Sequence, residues 1–152
     1  MFEHFDPAAR ATLDASLEEA RRRGDRRLNT EHFLLGILRD PASSEALGTT
    51  AEHARATLDE LDRAALAAIG FRVPHIDRPP TPASKKHTPF SSGMRALLAR
   101  AVTEARQAHS RRIRPEHLTL AVLGCEKPDP AAELMDRLAI DRAAVRERLR
   151  AV

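Results

Sequence analysis

Apolar residues recur along this chain at helical spacing, in short blocks separated by polar cap residues. Ala9, Leu13, Leu17 and Ala20 place one apolar stripe on a helix from Asp6 to Arg23. Asp6 suits the N-cap, Pro7 the first helical position, and Gly24 the stop. The next block, "TEHFLLGIL", is apolar almost throughout from Phe33 to Leu38. Thr30 caps this second helix, which runs to about Leu38. Asp40-Pro41 opens a third helix, which Gly48 breaks. Thr49 with Glu52 forms a capping box for a fourth, reaching about Ile69.

Residues 70–89 hold five of the ten prolines and read as an extended linker. The helical pattern then restarts. A helix begins at Ser91 or Ser92 and runs to about His109, and Pro115 opens another to about Leu123. Asp129-Pro130 opens a third, and Asp141 caps a last one. Adding 85 to the early positions lays Phe5 on Phe90, Leu13 on Leu98, Glu19 on Glu104, Leu28 on Ile113, Glu31 on Glu116 and His32 on His117. Farther on, Leu47, Arg55 and Leu58 fall on Leu138, Arg146 and Leu149 at an offset of 91. The chain is therefore an internal duplication: repeat one at 1–69, a linker at 70–89, repeat two at 90–152. The expected fold is all-α, two tandem four-helix repeats about a pseudo-two-fold axis, sharing one core in a monomer. Neither repeat is large enough to be stable alone.

Composition narrows the possibilities. Aromatics are 3% of the 152 residues, which argues against a β-sandwich or barrel. A charge of +3 and a pI near 9.7 come almost entirely from arginine. This is too modest to decide between nucleic acid and an acidic partner. "RRIRPEHLTLAVL" could pass for part of a helix-turn-helix. However, the charge is spread over both halves and no aromatic stacking platform is visible, so a nucleic-acid binder is the weaker reading. The single Cys125 excludes an internal disulfide, fits a reducing compartment and reads as buried packing. No apolar run reaches membrane-spanning length, and "MFEHFDPAAR" is no signal peptide, so a cytoplasmic protein without a membrane partner is expected.

Candidate chemistry is sparse. No phosphate-cradling G-x-x-x-x-G-K-[ST] occurs, and no nucleophile stands at a recognisable spacing from a base, so neither an enzyme nor a cofactor is expected. His32 and His117 have no second ligand three or four residues away on their helices. They read as structural histidines bonding a neighbouring loop, not as a metal site. Glu31 and Glu116 each sit in the first turn of a helix, where a carboxylate complements the dipole by about 0.3–1 kcal/mol. Phe5 and Phe90, duplicate positions just before a helix, read as a staple or core plug. The basic runs, Arg21–Arg23 with Arg26-Arg27 and Arg111-Arg112-Arg114, lie at helix C-termini and loops and read as a solvated face.

Three stretches together resemble the Clp repeat domain, the N-terminal domain of Clp-type AAA+ unfoldases, with the ClpC branch nearest. They are "MFEHFDPAAR", "EEARRRGDRRLNTEHFLLGIL" and "TPFSSGMRALLARAVTEARQAHSRRIRPEHLTLAVL". The resemblance implies a peptide-binding module that recognises substrates, including phosphoarginine, through Glu31 and Glu116 with Thr30 and Ser91. Such a module serves a ClpC-type unfoldase as adaptor or decoy, or forms the recruiting part of a longer unfoldase. The resemblance also implies a hydrophobic groove for cyclic-peptide antibiotics at Phe2, Phe5 and Phe90. Asp6 is expected to weaken the phosphate half of a Glu31 site. Ser91 is expected to favour a Glu116 site, where Pro115 removes one N–H donor.

Overall fold

The computed structural model describes residues 2–82 and 87–151, with Phe2 described by its backbone alone. After a 3-10 turn at Phe2–His4 come α1 (Pro7–Arg22), α2 (Thr30–Ile37), α3 (Pro41–Leu47) and α4 (Ala51–Ala68). The second set is α5 (Ser92–Gln107), α6 (Pro115–Leu123), α7 (Pro130–Arg137) and α8 (Arg142–Arg150). The caps follow the sequence closely. Asp6, Asp40, Ser91, Asp129 and Asp141 each accept a backbone N–H at a helix start. Two expected caps are displaced by one residue. Asn29 precedes α2, with Thr30 inside the helix, and Thr50 caps α4 by accepting the His53 N–H at 3.1 Å. Thr49, expected in that role, has a buried hydroxyl without a hydrogen-bond partner.

The two repeats lock together through a reciprocal pair of parallel bridges, Phe5 with Ile113 and Leu28 with Phe90. In one, Asp6 N–H donates to Ile113 O (2.9 Å) and Ile113 N–H to His4 O (2.8 Å). In the other, Ser91 N–H donates to Leu28 O (3.0 Å) and Leu28 N–H to Pro89 O (2.9 Å). Every participant in the second bridge is its counterpart in the first, 85 positions away. This is the signature of a pseudo-two-fold axis. α2 and α6 meet across it, and both are buried along almost their whole length, in keeping with the apolar runs that follow their Glu-His starts. One apolar core runs through both repeats, from Phe33, Leu34 and Ile37 to Leu118, Val122 and Met135.

Part of the linker is not free. Thr81 N–H donates to Arg21 O at 2.9 Å, and Arg78 approaches both Asp25 (3.7 Å) and Asp62 (3.4 Å). The Pro79 carbonyl passes so close to Gly24 that a Cβ there would lie 2.7 Å from it. Gly24 is also left-handed at φ +74°, so this turn requires glycine twice over. In the first basic run Arg22, Arg26 and Arg27 are exposed, as expected, while Arg21, Arg22 and Arg23 also form ion pairs. Arg21 and Arg22 hold Glu18, while Arg23 bridges Asp59 (2.8 Å) and Asp62 (2.7 Å) on α4.

Candidate functional site

The duplicated Glu-His helix start has a structural half and a free half. The histidine is the structural half. His32 Nδ1 accepts the Asn29 N–H at 3.0 Å, and His117 Nδ1 accepts the Arg114 N–H at the same distance. Each ring thus closes its own helix start from the third helical position, where Glu or Gln more often serves. With Nδ1 occupied as an acceptor, the neutral ring carries its proton on Nε2. In repeat one that proton meets the Asp25 carboxylate at 2.7 Å. Burial alone would raise the Asp25 pKa. The hydrogen bond and charge of His32, with Arg78 and Arg23 nearby, outweigh it and hold the carboxyl below its ordinary range. Repeat two has Ser110 at the matching position, and burial pushes the His117 pKa down.

The two glutamates differ in their surroundings. Glu31 is 14% exposed, receives a long hydrogen bond from Asn29 Nδ2 (3.4 Å), and has a buried Oε2 with no partner. Desolvation raises its pKa. Glu116 is 42% exposed and pairs loosely with Arg114 at 3.8 Å. The two helix starts present the same residue in very different dielectric surroundings.

The bridges cross the expected pairing. Ser91 lies beside Leu28 and the start of α2, so it belongs with Glu31 rather than Glu116. Asp6 lies beside Ile113 and the start of α6, so it belongs with Glu116 and Pro115. The cause is the reciprocal exchange between repeats: each repeat supplies the segment before its first helix to the other repeat's second. Thr30 is not a free donor. It is buried, its hydroxyl donates to Asp129 Oδ1 at 2.6 Å, and it accepts the Ala131 N–H at 3.3 Å. Asp129 also crowds the start of α5, its Oδ2 lying 2.9 Å from where a Cβ on Gly93 would stand. The sequence shows Asp129 only as a cap. Its second role, tying α7 to α2, carries no local signal.

The aromatic positions divide. Phe5 is 2% exposed and belongs to the core, not to an open groove, because its backbone is bridged to Ile113 beneath α1. Phe90 is half-buried and packs against the core. The Phe2 side chain lies outside what is described. Large apolar exposure is found instead at Ile69, Phe71 and Val73, where α4 runs into the linker. Cys125 is buried as expected, and desolvation pushes its thiol up to about 11.

A buried ion pair was not legible from local pattern. Glu19, 1% exposed, takes Arg55 Nε at 3.0 Å and lies 3.7 Å from Arg39. In repeat two, Arg146 occupies the position of Arg55 but donates to Leu123 O at 2.9 Å, joining Arg142 and Arg100 on the last carbonyls of α6. Glu104, the counterpart of Glu19, is left with Arg150 at 3.4 Å. A cavity of about 560 Å³ opens there, lined by Glu104, Ser110, Arg114, Glu116, His117 and Arg150 among others.

Among the described residues no cluster of His, Cys, Asp and Glu could hold a metal ion, and no helix is long and apolar enough to cross a membrane. The architecture is that of a duplicated, all-helical double-repeat domain. The chain belongs to the Clp repeat (R) N-terminal domain family, whose model matches residues 4–123. It is 34% identical over 128 residues to Uncharacterized protein Rv2667 of Mycobacterium tuberculosis, a match covering 84% of this chain and 46% of that protein. It is 28% identical over 151 residues to an ATP-dependent Clp protease ATP-binding subunit ClpA homolog of Guillardia theta, covering 96% of this chain and 16% of that one. The chain thus spans less than half the length of these relatives. In fold it is similar to the N-terminal domain of the chaperone ClpD from Arabidopsis thaliana, with a TM-score of 0.73, 24% identity, and coverage of 98% and 99% of the two chains. It is also similar to the Hsp104 N-terminal domain from Candida albicans, with a TM-score of 0.62, 15% identity, and coverage of 95% and 88%.

Proposed function

We propose that this protein is a non-enzymatic recognition module of the Clp protease system. It binds substrate proteins or peptides, either handing them to a ClpC-type unfoldase as an adaptor or holding them away from one as a decoy. As the recruiting part of a longer unfoldase it would use the same surface. The supporting observation is Glu31. Its unpartnered buried Oε2 costs about 1–3 kcal/mol, which a guanidinium N–H would relieve. A planar donor group on a substrate, arginine or phosphoarginine, therefore suits the start of α2, with the Ser91 hydroxyl nearby. The phosphate half meets opposition at both helix starts, from Asp129 at the first and from Asp6 with Pro115 at the second. Guanidinium recognition accordingly outweighs phosphate recognition, and the Glu31 site is the stronger. The half-buried Phe90, with Phe2, is the candidate for a cyclic-peptide groove.

Calorimetric titration with phosphoarginine and with arginine tests this reading. Wild type should bind both, Glu31→Ala should lose most of the affinity, and Glu116→Ala should lose little. Absence of binding to wild type at millimolar ligand, with an unfolded model substrate also ignored, would overturn the recognition reading.

A further inference from the structure

The strongest unassigned feature is the cavity in repeat two. Its counterpart in repeat one is closed by the chain itself. There, the Asp25 carboxylate sits on His32 Nε2 at 2.7 Å, Arg78 of the linker reaches that carboxylate, and Arg55 fills the space over Glu19. Repeat two has the same buried histidine, 3% exposed with Nδ1 held by the Arg114 N–H. Each closing group is missing. Ser110 replaces the aspartate, Arg146 is turned to the end of α6, and the linker lies on the other repeat. His117, its Nδ1 already engaged, lines this open cavity with Nε2–H as its remaining donor.

We infer that this cavity is a carboxylate-binding site, in which an acidic side chain or chain terminus of an extended peptide seats on His117 as Asp25 seats on His32. The ring is buried and held in place by its second nitrogen, so an incoming acceptor meets a donor that is already oriented. Arg114 and Arg150, 59% and 57% exposed, have only loose partners at 3.8 and 3.4 Å and can turn to the ligand, as Arg78 does to Asp25. Exposed Arg111 and Arg112 add positive potential at the rim. Glu104, Glu116 and Asp6 oppose the ligand, which selects a single carboxylate over a phosphate dianion. The inference deepens the peptide-binding reading for one site and leaves the Glu31 site untouched.

Three amidated or free pentapeptides probe it: Gly-Pro-Asp-Pro-Gly amide, its Asn analogue as the amide, and the Asn analogue with a free terminus. The readouts are calorimetry and the His117 imidazole NMR signals. The Asp amide or the free-terminus peptide should bind and shift the His117 Nε2–H resonance, and whichever binds identifies the source of the carboxylate. The Asn amide should bind about tenfold more weakly or not at all. Ser110→Asp restores the arrangement of repeat one and should abolish binding while the thermal midpoint holds or rises. That separates occupation of the site from loss of the fold. Equal affinity for the Asp and Asn amides, no binding of either carboxylate peptide at millimolar concentration, or unchanged affinity in Ser110→Asp would overturn the site. Retained arginine binding in those samples would show that the Glu31 reading survives independently.

Discussion

At the scale of single residues, duplication lets one copy serve as a control for the other. Gly36 on α2 packs so tightly on α1 that an added Cβ would lie 2.7 Å from Ser16 N, 2.9 Å from its Cα and closer still to its Oγ. Backbone atoms cannot rotate away, so α1 and α2 would have to part. Gly36→Ala should therefore destabilise the protein by about 2–3 kcal/mol despite the helix-propensity gain of about 1 kcal/mol. A denaturant titration measures it. The counterparts in repeat two are Ala101 and Ala121, both buried, so the same contact is met there by two small side chains. Ser16→Ala in the Gly36→Ala background should recover only part of the loss, because the backbone contacts persist. A neutral Gly36→Ala would show that the α1–α2 spacing adapts freely. The Glu-His motif teaches a similar lesson. His32 and His117 keep one identical hydrogen bond each, while the second nitrogen has opposite fates. Both histidines were legible as structural; the loops before them differ, Gly24-Asp25 against His109-Ser110, but the sequence did not show that Asp25 reaches the second ring nitrogen.

At the scale of elements, the helices follow from caps and periodicity, but their ion pairing does not. Glu19 and Arg55 lie on α1 and α4, 36 positions apart. Removing the charge from a buried carboxylate leaves the guanidinium without its partner. Since Arg55 is about one-third exposed, water recovers part of that loss. Glu19→Gln should cost about 2–3 kcal/mol, below the range for a fully buried pair. Glu104→Gln should cost well under half as much, because Arg150 is mostly solvated. Equal penalties measured by thermal or chemical unfolding would contradict the asymmetry. The same comparison accounts for the cavity: an arginine diverted to the α6 carbonyls empties the space that its counterpart fills.

At the scale of the whole molecule, the interlocked bridges make the repeats interdependent. The exposed linker segment around residues 71–77 carries few of the contacts that join them. A single proteolytic nick there should leave both halves associated and helical on sedimentation and circular dichroism, whereas either half expressed alone should fail to unfold cooperatively. Dissociation of the nicked halves at micromolar concentration would show that the shared core is weaker than the structure implies. Sequence by itself determined the helix content, nearly all the helix starts, the duplication and the family. These depend on spacing and cap chemistry, which act within a few residues. Tertiary structure alone decided that Ser91 accompanies Glu31 and Asp6 accompanies Glu116, that Phe5 is core, that Thr30 is tied to Asp129, and that the linker seals one repeat and leaves the other open. Each of these depends on which distant segments the pseudo-two-fold brings together. An offset of 85 shows that two copies exist, but not that each inserts its leading segment into the other.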